Sequence, residues 1–237
     1  YKSLAQSFKA NTLREIGTTL VSLNRRVEAV DSYRKALKLY QNQNDKSSQA
    51  LTLVEICKVQ RSLKQYQHAL ESCNQALSIL QQFRNLVEEA KTRLEIAKTE
   101  RARNNLVKAK TQVEAAIQLI ETEPPPVESE QASPLSTQKQ FKSYISLASY
   151  FSAKHYFYDF YVDLLMQLHR QNSAQNYLMQ ALQVSEQSRG RSLLAILKRR
   201  DRYVASNKNS VDTNKVQDLD QAQRIVELQK QLLDDNT

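Results

Sequence analysis

An all-α chain of stacked helix hairpins is what this sequence predicts, and three observations carry the prediction. Only two glycines and four prolines occur in 237 residues, too little turn punctuation for a sheet protein. Leu, Ala, Gln, Lys, Arg, Glu and Ser dominate, and most of these are good helix formers. Six columns of residues recur at a step of 40: Ala10, Ala50, Ala90; Thr12, Thr52, Thr92; Glu15, Glu55, Glu95; Ile16, Ile56, Ile96; Ala29, Ala69, Ala109; and Ala36, Ala76, Ala116. Six identical triplets at one period mark three copies of one supersecondary unit.

Each copy reads as two helices. In the first, NTLREIGTTLVSL has apolar residues at helical spacing, NRR interrupts it, and VEAVDSYRKALKLY resumes the pattern. Small residues stand where the two helices must approach closely: Gly17, Cys57 and Ala97 on the first helix, Ala29, Ala69 and Ala109 on the second. A hairpin of this size cannot bury its apolar face alone, so neighbours must stack into a continuous core, a superhelical solenoid of antiparallel pairs. Cys57 and Cys73 fall on apolar helix positions with no CxxC spacing and no clustered His, which predicts buried free thiols and a reducing compartment.

The spacing resembles the tetratricopeptide repeat. Leu13, Ile16, Gly17, Leu20, Ala29, Tyr33 and Ala36 occupy its pattern positions in the first copy, and Leu53, Ile56, Cys57, Tyr66, Ala69, Cys73 and Ala76 in the second. The third copy departs at Arg93 and Glu100 but keeps Ile96, Ala97, Ala109, Val113 and Ala116. The resemblance implies a right-handed superhelix and covers residues 1–121. The repeat of that family is about 34 residues long, so the units here carry roughly six more, in longer helices or in loops.

After Ile120 the periodicity fails. Residues 122–140 are polar and acidic and contain Pro124, Pro125, Pro126 and Pro134; three consecutive prolines cannot continue a helix, so a connector is expected here. A fourth unit follows over 141–200, its Ala174 and Ala181 standing 65 residues after Ala109 and Ala116. Nine aromatics lie between Phe141 and Tyr161, five of them within Tyr156–Tyr161. They surround a helix instead of forming one stripe, so core packing is expected, with an exposed partner surface as the alternative. His155 and His169 flank this block and read as helix-surface or lightly buried residues. Residues 201–213 read as loop, and about 214–233 as a last helix.

The fourth unit and its continuation resemble bacterial, especially cyanobacterial, CHAT proteins, in which tetratricopeptide repeats precede a caspase-like peptidase domain. Tyr161, Asp163, Leu164, Leu165, Met166, Leu168 and His169 match the last repeat of that family. Ser185, Glu186, Arg189, Arg191, Leu193 and Leu194 match the helix that follows, with Gly190 in place of the usual Ala. A glycine inside a helix costs about 1 kcal/mol, so a kink is expected at Gly190. The tail LLDDNT resembles the lead-in to the peptidase domain, which is expected to lie outside this chain. The chain is then an interaction module for that domain, in the cytoplasm.

Chemistry is poorly represented. The two cysteines sit in repeat helices, no His is placed to activate either, and no GxSxG, GxxxxGK or HExxH occurs. The expectation is no enzyme, no cofactor and no metal. No run approaches the ~20 apolar residues of a membrane span, and YKSLAQSFKA, which lacks an initiator Met, contains no signal-peptide core and reads as the start of an excised piece.

Charge carries the remaining signal. Residues 1–120 hold 20 Lys and Arg against 11 Asp and Glu, whereas residues 121–140 hold 1 against 4. In tetratricopeptide arrays the first helix of each pair lines the concave groove. The resemblance places there Arg14, Val54 and Leu94; Thr18, Lys58 and Lys98; Val21, Arg61 and Arg101; and Asn11, Leu51 and Lys91. Arg14, Thr18, Lys58, Arg61, Lys91, Lys98 and Arg101 are the candidate binding residues, because clustered cations in a concavity attract carboxylates. The expected partner is a protein or acidic peptide, the VESE segment of the chain included. A free-standing scaffold associated with nucleic acid is the alternative, weakened by the absence of an Arg-rich tail and by aromatics on apolar positions.

Overall fold

The computed structural model describes residues 2–122, 137–173 and 175–190, with side chains from residue 5 in the first stretch and from 154 in the second. Seven helices are α1 (Lys2–Ser22), α2 (Arg26–Asn42), α3 (Lys46–Ser62), α4 (Tyr66–Gln82), α5 (Leu86–Ala102), α6 (Leu106–Thr122) and α7 (Thr137–Gln171). Residues 177–190 are also helical, and no strand occurs among the described residues. The array is a tetratricopeptide-like stack of antiparallel hairpins.

Its deeper period is 20. Helices α2 to α6 each have 17 residues and begin 20 apart, joined by three-residue turns. The six residues beyond the usual repeat length therefore lie in the helices, each about 25 Å long. Every turn is built alike. Asn24, Asn44, Lys64, Arg84 and Asn104 have φ of 62°, 54°, 61°, 51° and 63°. The next residue donates its N–H five residues back, as from Arg25 to Leu20 (2.8 Å), Gln65 to Gln60 (2.9 Å) and Asn105 to Glu100 (2.8 Å). This is the Schellman closure of a helix C-terminus. That same residue is the N-cap of the next helix, and twice its side chain serves there: Asp45 accepts from the Ser48 N–H (3.0 Å) and Asn85 from the Glu88 N–H (3.2 Å). The chain turns without glycine because Asn tolerates the left-handed region, and Lys64 and Arg84 accept its strain.

All nine alanines of the three Ala columns are fully buried, as are Thr52 and Thr92. Helices pack in chain order, each against the next, and α3 also meets α5 directly. The odd-numbered helices α3, α5 and α7 thus share one side of the stack, referred to as its inner layer. A helix in the interior of the stack is covered on two sides, whereas among the described residues α1 packs chiefly against α2. Ile56 and Ile96 are accordingly 3% and 4% exposed, and their counterpart Ile16 is 43% exposed.

The slot between the helices of each hairpin is filled in three ways. In the first, Gly17 faces the Tyr33 ring so closely that a Cβ would sit 2.6 Å from a ring carbon. In the second, Cys57 and Cys73 are joined in a disulfide, Cα atoms 5.5 Å apart. This corrects the expectation of free thiols: the register that sets Gly17 against Tyr33 also sets Cys57 against Cys73. The third slot has Ala97 and Val113, both fully buried.

The last core joins α5, α6 and α7. Phe157, Tyr158, Tyr161, Leu164, Leu165 and Leu168 pack with Leu106, Val113, Ile117 and Ile120, and Ala181 closes the cluster. Tyr158 donates to Glu121 (2.6 Å) and Tyr161 to Glu114. Burial, then the adjacent Glu114 carboxylate, pushes the Tyr161 phenol well above its usual range. Of the block's aromatics, Phe157, Tyr158 and Tyr161 are core, Phe160 is partly buried and Tyr156 stays 53% exposed; the side chains of Phe141, Tyr144, Tyr150 and Phe151 lie outside the described residues. Helix α7 starts at Thr137, four residues inside the stretch read as connector. Residues 123–136 lie outside the described residues, as do residues 191–200 of the helix that follows the fourth unit's Ala181. The helix over 177–190 runs unbroken to Gly190, and the loop and last helix expected beyond 200 fall outside the described residues too. By contact pattern the chain divides into Tyr1–Ser185 and Glu186–Thr237.

Candidate protein-binding face

The cations singled out by the sequence lie on three helices, Arg14 on α1, Lys58 and Arg61 on α3, and Lys91, Lys98 and Arg101 on α5, and the structure surrounds each with partners. Lys58 Nζ lies 2.7 Å from Glu55 Oε1, one helical turn away. Arg61 Nη1 lies 2.6 Å from Glu95 Oε2, tying α3 to α5. Lys98 Nζ lies 2.6 Å from the other oxygen of Glu95. Lys91 pairs with Glu88 at 2.7 Å, and Arg14 with Glu15 at 3.4 Å. Thr18 Oγ1 bonds the Tyr33 hydroxyl at 3.2 Å.

Glu95 is the hub of this network. Burial alone would raise its pKa, but Arg61 and Lys98 outweigh burial and hold the carboxyl below the ordinary glutamate range. At Lys58 burial opposes the charge, and the hydrogen bond it donates to Glu55, with the fields of Glu55 and Glu95, more than restores it, so its pKa is raised. Both groups are firmly ionised near neutrality. Such a preformed, charged lattice holds its side chains in place before any ligand arrives.

Helix α7 completes the face. Arg101 Nε donates to Gln167 Oε1 at 2.8 Å, and its guanidinium lies 5.4 Å from the Phe160 ring centroid. Lys98 Nζ sits 4.6 Å from the centroid of Tyr156. These aromatic contacts were not read from the sequence as part of the face; the 65-residue offset of the fourth unit, which aligns Tyr156 with Lys91, was the available signal. Val54 and Leu94, by contrast, do not line it. They are 6% and 2% exposed and belong to the core, where Val54 packs in one cluster with Ala76 of α4 and Leu94 in another with Val113 and Ala116 of α6.

Among the described residues no cluster of His, Cys, Asp or Glu could hold a metal ion, and no helix is long and apolar enough to cross a membrane. His169 keeps Nδ1 buried without a hydrogen-bond partner.

No family model matches the chain, and no curated protein does. Solved structures are similar at low identity. The first TPR of Spaghetti (RPAP3) bound to an HSP90 peptide shares 21% identity over 60% of this chain and 95% of its own, with a TM-score of 0.40. A Podosopora anserina putative kinesin light chain with nearly identical TPR-like repeats shares 16%, over 86% and 99%, with a TM-score of 0.45. The apo form of RapI shares 14%, over 94% and 65%, with a TM-score of 0.49.

Proposed function

We propose that this chain is a non-catalytic interaction module that captures an acidic peptide or acidic protein segment on the inner face of α3 and α5. The observation that carries the reading is the pair of columns Lys58–Lys98 and Arg61–Arg101, which repeat one arrangement of two cations on consecutive inner helices. Arg14, Thr18 and Lys91 extend it. A segment of regularly spaced carboxylates meets equivalent cations at each step, and clustered positive charge speeds its encounter. The VESE segment of the chain has this chemistry.

The module serves an attached caspase-like peptidase of CHAT type, recruiting or sensing a protein for it. Support comes from the fourth unit, whose family-like residues Tyr161, Leu164, Leu165 and Leu168 are all buried in the final core. A cytoplasmic site belongs to the same proposal, although the Cys57–Cys73 disulfide is of a kind that oxidising compartments favour. Cell fractionation checks it: the protein should be recovered with the cytoplasm, and recovery outside it would overturn this part of the proposal.

The binding test uses an acidic peptide and Lys58→Glu/Lys91→Glu, two partly exposed positions, with thermal melts as the folding control. Binding should weaken at least tenfold, because two attractions become repulsions. Unchanged affinity would remove the proposal. An equally steep salt dependence for generic duplex DNA would favour the nucleic-acid reading.

A further inference from the structure

The repeat register singles out one position on this face. Arg61 on α3 and Arg101 on α5 are 40 residues apart, and the residues they meet on the next inner helix are also equivalent, Glu95 on α5 and Phe160 on α7. At Arg61 that partner is a carboxylate, 2.6 Å away. At Arg101 it is a ring, 5.4 Å away. Gln167 takes the Arg101 Nε, and among the described residues no carboxylate reaches this guanidinium. Both terminal nitrogens of Arg101 thus keep donor capacity, whereas Arg61 has committed its Nη1 to Glu95.

An apolar surface adjoins it. Tyr156, one turn before Phe160, is 53% exposed although Phe157, Tyr158 and Tyr161 around it are buried. Lys98 covers part of its ring, which holds the ring in position. The same register shows where an acidic ligand must end: α7 presents exposed Asp163 in the column where α5 has Lys98.

We infer that Arg101 and Tyr156 form a terminal subsite of this face, in which Arg101 takes a ligand carboxylate in the place Glu95 occupies at Arg61, and Tyr156 stacks on an adjacent aromatic or large aliphatic side chain. The ligand is an acidic linear segment with one such residue at the end that reaches α7. A guanidinium with free paired donors suits a carboxylate, and an exposed tyrosine held by a cation offers a ring face at low entropic cost. This inference rests on the proposed acidic-peptide function and specifies it.

Two fluorescein-labelled eight-residue peptides of Glu and Asp test it, one with a Phe near its end and one with Ser in that place. Wild-type protein should bind the Phe peptide about fivefold more tightly, an aromatic pair's contribution. Tyr156→Ala should erase that ratio and leave the Ser peptide unchanged. Arg101→Gln should weaken both peptides about tenfold, and Arg101→Lys should restore only part, since a point charge cannot fork. Melting temperatures within a few degrees of wild type exclude unfolding as the cause. If Arg101→Gln and Tyr156→Ala both bind as wild type while Lys58→Glu/Lys91→Glu fails, the subsite is wrong and the face stands. If all three bind as wild type, or neither peptide binds at all, the acidic-peptide function itself is wrong.

Discussion

Gly17 and Tyr33 show how little freedom single side chains have inside a hairpin. The Tyr33 ring is 1% exposed and its hydroxyl is tied to Thr18, so it cannot retreat from a new methyl group. Gly17→Ala would gain about 1 kcal/mol of helix propensity, but overpacking a filled slot costs about 1–3 kcal/mol. The collision wins: the variant should lose up to about 2 kcal/mol in denaturant unfolding. Glu95 is the electrostatic counterpart. Its carboxyl titrates lower in the folded chain than in the unfolded one, so its contribution is complete above the unfolded value of about 4.3 and fades as pH falls through the lower folded value. Glu95→Gln leaves Arg61 and Lys98 facing a neutral amide, and should cost about 3 kcal/mol at pH 7. It should also flatten the stability loss that wild type shows on acidification below about pH 4.5. Equal acid sensitivity in both proteins would disprove the hub role.

At the scale of the element, the turns are the most regular feature and the least visible in sequence. Periodicity at 40 was plain from the alanine columns, yet the 20-residue half-period lies in backbone geometry that Asn, Lys and Arg all satisfy. A left-handed residue reads clearly only when it is Gly, and here it never is. Lys64→Gly and Arg84→Gly should each raise stability by about 0.5–1 kcal/mol, because Gly removes the Cβ strain at positive φ. Neither side chain is otherwise needed for the closure. A loss of stability would show that these side chains contribute something beyond the backbone turn. The disulfide was hidden for a related reason: Cys57 and Cys73 match no metal or redox spacing, and only the Gly17–Tyr33 register reveals that they face each other. Helix α7 was legible as aromatic, but which ring stays outside depends on how α6 and the helix over 177–190 cover it.

For the repeat array as a whole, the sequence announced a stack of hairpins, and Ala10 through Ala116 occupy the buried positions that the columns require. The cations of the inner face were also legible, because the step of 40 aligned Lys58 with Lys98 and Arg61 with Arg101. Their partners were not. Whether a cation on one helix meets Glu95 or Phe160 on the next depends on how the helices lie across each other, which a list of columns does not contain. Stacking has one further consequence. Each helix is stabilised by its immediate neighbours, so stability grades along the array. Helix α1 packs chiefly against α2 and leaves Phe8, Ile16 and Val21 exposed, whereas α5 lies between α4 and α6 with Ala90, Leu94, Ile96 and Ala97 buried. Native-state hydrogen exchange tests this most directly. Amides of α1 should exchange first, and those of α5 and α6 should approach the protection set by global unfolding. Uniform protection from α1 to α6, or slowest exchange in α1, would contradict an array built from stacked neighbouring hairpins.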